Sequence, residues 1–258
     1  MRSAHTDCRT APFFLPGGEP GILLVHGFLT APDEVYPLGE VLSKAGMTVY
    51  GIRLRGHGTT PKDLAQVRWQ DWVAEVRTGL EELRQPCKHL GIAGVSLGAA
   101  VALYAAIEEP IEKIVVFSLP GRGVTRGLSA SWLSHIAHAI PFVPKIGSDM
   151  HNAEARHEHF VYRQISLQAT AEVAQLLEAL DARLPEIRTP TLLIHARRDR
   201  VVPPRTIARI TARIGAPHEL LWLELGGHNV ILDSDRQRAW QAARSWFNSD
   251  TIPLPETK

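Results

Sequence analysis

The chain has 258 residues with 28 Lys+Arg against 27 Asp+Glu, a formal net charge of +1. That length suits one α/β domain with its own core, and the balanced charge excludes the broad basic field that holds nucleic acid or an acidic membrane. Hydrophobic residues at 45% and charged residues at 21% exclude disorder for the bulk of the chain.

Met1 to Pro20 shows little periodicity and several turn formers, and reads as an arm leading into the fold. Its longest apolar stretch, Phe13-Phe14-Leu15, is bounded by Pro12 and Pro16, so neither a signal-peptide core nor a membrane insertion is expected there. Cys8 and Cys87 make at most one bridge, which a core of this size does not need. Reduced thiols and a cytoplasmic setting are therefore expected.

Gly21 to His26 is a continuous apolar run closed by Gly27, the pattern of a strand buried on both faces of a parallel sheet. A helix over about Pro32–Ala45 follows, with Leu38, Val41 and Leu42 on one stripe, Gly46 as its stop and Pro37 disturbing its first turns. Met47–Arg53 reads as the second strand, and Arg55-Gly56-His57-Gly58 as a loop. Trp69, Trp72, Val73, Val76, Leu80 and Leu83 recur at helical spacing until Pro86, which makes these aromatics core residues. A strand at Leu90–Ala93, a small-residue helix at Leu97–Ile107 and a strand at Ile114–Phe117 continue the alternation.

From about Leu119 to Pro185 no buried strand is evident, and the residues suggest loops and helices, including one over Ala169–Leu184. Strands resume at Thr191–His195 and Leu220–Leu225, with helices near Arg205–Ile214 and Asp235–Phe247. The expectation is a single domain with a mostly parallel sheet flanked by helices, its core at about 21–118 and 186–248 and a cap inserted at about 119–185. Ligands of such sheets bind at the carboxyl ends of the strands.

Gly94-Val95-Ser96-Leu97-Gly98 is a G-x-S-x-G between a short strand and an Ala-rich helix, the context that a nucleophile elbow requires. A serine there takes a strained backbone, and the positions two before and two after it have no room for a larger side chain. A serine hydroxyl is a poor nucleophile at neutral pH, so an imidazole must take its proton and a carboxylate must orient the imidazole. His228, in Gly226-Gly227-His228 after the last strand, has the best placement of the twelve histidines. Asp199 lies just past the strand Thr191–His195, with Arg197, Arg198 and Arg200 beside it as alternative partners. Asp181, in the cap, and Asp233, after the histidine, are weaker candidates for the acid. Two backbone N–H groups, of Leu97 and of Phe28 in the loop after the first buried strand, are expected to hold the oxyanion.

These motifs, together with Leu24-Val25-His26-Gly27-Phe28, Arg55-Gly56-His57-Gly58 and Asp71-Trp72, resemble those of α/β-hydrolase-fold serine hydrolases, specifically the bacterial carboxylesterase and monoacylglycerol-lipase-like group. The resemblance spans about Gly21 to Phe247. It implies Ser96, Asp199 and His228 as the catalytic triad, Phe28 and Leu97 as the oxyanion hole, a small-molecule ester substrate of short to medium acyl length or a monoacylglycerol, and no metal or organic cofactor. Ala99 departs from the glycine frequent in the group, and the cap is less apolar than in lipases. His151, His157 and His159 raise the question of a metal site, but Glu154, Arg156 and Glu158 among them suggest a solvated face. The same triad also serves carbon–carbon bond hydrolases, acyltransferases and peptidases, and the fold alone also serves non-catalytic binding. Neither the nucleic-acid class nor any oligomeric state is indicated.

Overall fold

The computed structural model describes residues 8–124 and 129–249; the first seven residues of the expected arm and the side chain of Cys8 lie outside the described residues. In chain order the elements are β1 (Phe13–Leu15), β2 (Gly18–Val25), α1 (Tyr36–Lys44), β3 (Met47–Ile52), α2 (Pro61–Leu64), α3 (Trp69–Arg84), β4 (Leu90–Val95), α4 (Leu97–Ala105) and β5 (Lys113–Phe117). There follow α5 (Ala130–Ala137), β6 (Phe142–Pro144), α6 (Ala153–Glu158), β7 (Gln164–Ser166), α7 (Leu167–Arg183), β8 (Thr191–Ala196), α8 (Pro204–Thr211), β9 (His218–Leu223) and α9 (Arg236–Asn248).

Seven strands form one sheet in the order β1-β3-β2-β4-β5-β8-β9. All neighbours pair in parallel except β1, which runs antiparallel to β3 with Phe13 opposite Gly51 and Leu15 opposite Val49. The sheet is parallel because each strand returns through a helix, and both faces are covered. Along β2, Leu23 and Val25 enter the cluster packed by α3, α4 and α7, whereas Ile22 and Leu24 enter the cluster packed by α1 and α9. This two-faced burial is the reason that the strand is apolar without alternation. The Ala99, Ala100, Ala102 and Ala105 side chains of α4 are buried, and their small size lets the helix lie close to the sheet.

The structure corrects the sequence reading in several places. The arm holds an edge strand, β1, which is bounded by Pro12 and Pro16; proline is tolerated at an edge because no ladder hydrogen bond is lost there. β2 begins at Gly18, within the stretch assigned to the arm. Pro37 falls in the first turn of α1, where its missing N–H has no intrahelical partner to lose. Between β5 and β8, β6 and β7 form a small antiparallel ribbon pairing Phe142 with Ser166. β9 starts and ends two residues earlier than expected, because its edge position leaves it half-buried and blurs its apolar pattern. α7 places Leu176, Leu177 and Leu180 in the same core cluster as α3 and α4. Cys87 is a free, buried thiol. Among the described residues no helix is long and apolar enough to cross a membrane.

Candidate active site

Ser96 sits between the end of β4 and the start of α4 with φ 51° and ψ −112°, a conformation that costs a non-glycine residue about 1–3 kcal/mol. The surrounding backbone holds it there: Ser96 N–H donates to the Phe117 carbonyl at 2.9 Å, and the Ser96 carbonyl accepts from Ala100 N–H at 3.2 Å. A Cβ on Gly98 would stand 2.3 Å from the Val25 carbonyl oxygen, and one on Gly94 would stand 2.3 Å from that of Gly98. The two glycines therefore permit the helix to approach the carboxyl end of β2, as the motif requires.

The Ser96 hydroxyl lies 3.0 Å from His228 Nε2, and His228 Nδ1–H donates to Asp199 Oδ2 at 2.9 Å. Donation from Nδ1 leaves Nε2 as an acceptor for the serine proton. Asp199 takes no arginine as partner among the described residues: Arg197 pairs with Glu224 and stacks on Trp222. Its Oδ1 accepts the N–H groups of Val201 and Val202 at 2.8 and 2.7 Å. Burial raises the Asp199 pKa, but the hydrogen bond and charge of His228, with the Val202 N–H, outweigh burial and hold the carboxyl below the ordinary aspartate range. Asp181 pairs with Arg213 and Arg122, and Asp233 accepts main-chain N–H groups of His151, Asn152, Gly227 and Ser234, so neither competes for the histidine.

Phe28 and Leu97 both line the cavity that contains Ser96 and His228. Among the described residues neither of their N–H groups has an acceptor. Leu97 opens α4, whose dipole favours an anion at that end. Behind Phe28 lies His57, fully buried against His26, Phe28 and Trp72, while Trp72 Nε1–H donates to the Arg55 carbonyl. Burial pulls His26 down to about 4 and His57 well below the usual histidine value, so both are neutral scaffolding. His57 of the Arg55–Gly58 motif thus packs on Phe28, and Trp72 packs on His57.

Sequence reasoning missed the carboxylates that fix these loops. Asp149 Oδ2 accepts the N–H groups of His228 and Arg200 at 3.0 and 2.7 Å, tying the excursion between β5 and β8 to the loops of both the histidine and the acid. A Cβ on Gly227 would stand 2.4 Å from the Asp149 carbonyl, which explains the glycine before the histidine. Ser118 Oγ donates to the His228 carbonyl at 2.5 Å. Glu34, 2% exposed, accepts from Gly27 N–H, Thr30 Oγ and Asn229 Nδ2. No local pattern marks these residues: the partners of Asp149 and Ser118 are remote in sequence, and Glu34 joins two nearby donors to a remote one. Of the histidines weighed as metal ligands, His157 lies on α6, which buries no residue, whereas His159 lines the cavity with Nδ1–H on the Ala155 carbonyl.

Asp33 joins the loop that follows Phe28 to the residues before β7 by accepting Phe160 N–H at 2.6 Å, and Tyr162 N–H donates to the Leu29 carbonyl. Burial, with Glu34 beside it, pushes Asp33 up to about 6 against the Phe160 hydrogen bond. A raised carboxyl contributes stability that is complete below its unfolded pKa near 4 and is lost as pH climbs through about 6. Asp33→Asn keeps the acceptor without the charge. Thermal melts are expected to show a gain of about 2–4 °C at pH 7, for about 1 kcal/mol after discounting partial exposure, and none at pH 4. A lower melting temperature at pH 7 would contradict this assignment of strain to the Asp33 charge.

The cavity over Ser96 has a volume of about 560 Å³ and is walled mainly by apolar side chains, among them Leu29, Val124, Met150, Val161, Ile165 and Val173. The family model described as serine aminopeptidase, S33, matches residues 19–235. The chain belongs to this family of serine hydrolases with the α/β-hydrolase fold. It is 30% identical over 244 residues to a thermostable monoacylglycerol lipase from Bacillus sp. (strain H-257), covering 92% of this chain and 93% of the relative. It is 25% identical to a carboxylesterase of Bacillus subtilis (strain 168), covering 89% and 93%. A solved structure from work on LipS and LipT, two metagenome-derived lipolytic enzymes, superposes with a TM-score of 0.86 at 29% identity, covering 93% of this chain and 98% of that one. The Paleococcus ferrophilus monoacylglycerol lipase shares the fold at a TM-score of 0.78 and 18% identity, over 92% and 97% of the two chains.

Proposed function

We propose that the protein hydrolyses carboxylic esters through an acyl-enzyme on Ser96, with His228 as general base and acid, Asp199 as its orienting carboxylate, and the Phe28 and Leu97 N–H groups as the oxyanion hole. It is an ester-cleaving serine hydrolase. The observation that carries the assignment of roles is the unbroken hydrogen-bond chain Ser96–His228–Asp199 at the floor of a mainly apolar cavity. Ser96 Oγ attacks the ester carbonyl carbon as its proton passes to His228 Nε2, and the two N–H groups hold the charge on the carbonyl oxygen. The tetrahedral species collapses with the alcohol leaving as it takes the proton from His228. Water, deprotonated by His228, then attacks the acyl-enzyme and releases the acid and Ser96. Asp199 stays ionised throughout and stabilises the imidazolium. Each step uses groups of the chain itself and water.

The substrate in this reading is a monoacylglycerol or another ester of short to medium acyl length. The apolar cavity wall supports it, as do the relatives that act as monoacylglycerol lipase and carboxylesterase. Residues 119–185 then act as a cap, because Val124, Met150, Val161, Ile165 and Val173 supply much of that wall. Amide cleavage of an amino-terminal residue fits less well. The mainly apolar wall offers an α-ammonium group little compensation for lost water, and Lys145 adds a cation to the lining. The buried thiol of Cys87 supports a reducing, cytoplasmic setting. Rates on p-nitrophenyl esters of graded chain length, with a monoacylglycerol series beside them, test the reading. Turnover rising to a maximum at short or medium chains is expected; no turnover on any ester, with cleavage of an aminoacyl amide, would overturn it.

A further inference from the structure

Glu34 ends the single turn Pro32–Glu34 after the oxyanion loop, and its side chain points inward, 2% exposed. A carboxylate held out of water is costly unless its lone pairs are filled. No lysine or arginine pairs with it among the described residues. Its partners are three neutral donors: Gly27 N–H to Oε2 at 2.6 Å, Thr30 Oγ to Oε2 at 2.9 Å, and Asn229 Nδ2 to Oε1 at 2.7 Å. Two of these flank Phe28, whose N–H is the second oxyanion donor, and the third belongs to the residue after His228. A carboxylate is acceptor-only on both oxygens, so a single side chain can hold two loops that share no other hydrogen bond of this kind.

The loop needs such a hold. Leu29, next to Phe28, has φ 67°, a strained value for a non-glycine residue. An N–H in a loop of this kind stabilises an oxyanion only if it is fixed in direction before the reaction begins. We propose that Glu34 is a positioning residue that sets the direction of the Phe28 N–H and, through Asn229, fixes it relative to His228, so that the oxyanion hole and the general base share one frame. This inference rests on the ester-hydrolase reading of the same site and adds to it a residue that touches no reacting atom.

The Glu34–Asn229 contact also states which replacement should be tolerated. In Glu34→Gln the amide oxygen can take Gly27 and Thr30 while its NH2 faces residue 229. Asn229 Oδ1 is buried with no partner, so rotation of the Asn229 amide presents an acceptor to that NH2. Glu34→Ala has no such remedy.

The test compares wild type, Glu34→Ala, Glu34→Gln and Asn229→Ala on one p-nitrophenyl ester, with kcat expressed per serine labelled by a fluorophosphonate. A trifluoromethyl ketone, which binds as a tetrahedral oxyanion, reports the hole directly. For Glu34→Ala, kcat is expected to fall about 10²-fold, near the loss of one oxyanion donor, with KM changed by no more than roughly threefold and ketone affinity falling in parallel with kcat. Asn229→Ala, which leaves Gly27 and Thr30 bound to Glu34, is expected to lose about tenfold in both quantities, and Glu34→Gln to stay within roughly threefold of wild type. If Glu34→Ala does not fold, Asn229→Ala decides. Wild-type kcat and ketone affinity in either alanine variant, or a loss confined to KM or to the fraction of labelled protein, would overturn the proposal. Absence of turnover and label in wild type itself would instead overturn the reading of the site.

Discussion

Replacing Ser96 with alanine is expected to lower kcat for ester hydrolysis by about six orders of magnitude without unfolding the protein. The magnitude follows from the way in which the groups act together. In the proposed mechanism the hydroxyl 3.0 Å from His228 Nε2 forms the acyl bond, so without it His228 and Asp199 would have no nucleophile to activate. His228→Ala is expected to cost about as much, because an unassisted hydroxyl at neutral pH is scarcely nucleophilic, and the double variant is expected to be no slower than either single variant within roughly tenfold. The fold should survive, since the hydrogen bonds that hold the elbow, from Ser96 N–H to Phe117 and from Ala100 N–H to Ser96, are made by the main chain. Steady-state rates of the three variants, with their melting temperatures, check this. Independent, multiplying losses from the two single changes would contradict a shared chemical step.

Replacing Asp199 with asparagine is expected to cost about 10⁴ in kcat with little change in KM. Asp199 Oδ1 is anchored by the Val201 and Val202 N–H groups, so an asparagine oxygen stays on that side and its NH2 turns toward His228 Nδ1. A donor facing Nδ1 forces the imidazole proton onto Nε2, the nitrogen that must accept from Ser96. The ring keeps its position and loses its function. The pH dependence has a definite sign too. The Asp199 carboxyl is depressed in the folded protein, so the stability it supplies is present above the unfolded aspartate pKa and is lost as pH falls below it. Asparagine removes that acid-side loss. Rates and melts of Asp199→Asn across pH test both parts; a fall in kcat of less than tenfold would contradict the orienting role.

The sequence made the sheet and the elbow legible for the same reason: both are governed by local sterics and burial. Ile22 to Val25 read as a two-faced strand because both faces are covered, and Gly94 and Gly98 announced the sharp turn because backbone lies within 2.3 Å of where their Cβ atoms would be. Chain order and positions past strands single out Asp199 and His228, which the structure joins by a hydrogen bond. What escaped was non-local. Phe13–Leu15 looked like an arm because three residues between prolines carry no periodicity, and only the antiparallel register with β3 makes them a strand. Nothing beside Glu34, Asp149 or Asp233 in the chain marks its role: the first bonds a residue 195 positions away, the second reaches 79 positions to His228, and the third gathers N–H groups from residues 151 and 152. A buried carboxylate serving main-chain donors leaves no signature in the residues beside it.

The most direct measurement is the mass of the protein after brief exposure to a fluorophosphonate, followed by mapping of the modified peptide. One adduct per chain is expected, on the peptide that contains Ser96, formed quickly in wild type, absent in Ser96→Ala and greatly slowed in His228→Ala. A wild-type chain that stays unmodified, or one labelled equally well after Ser96 is replaced, would contradict the claim that this serine is the activated nucleophile.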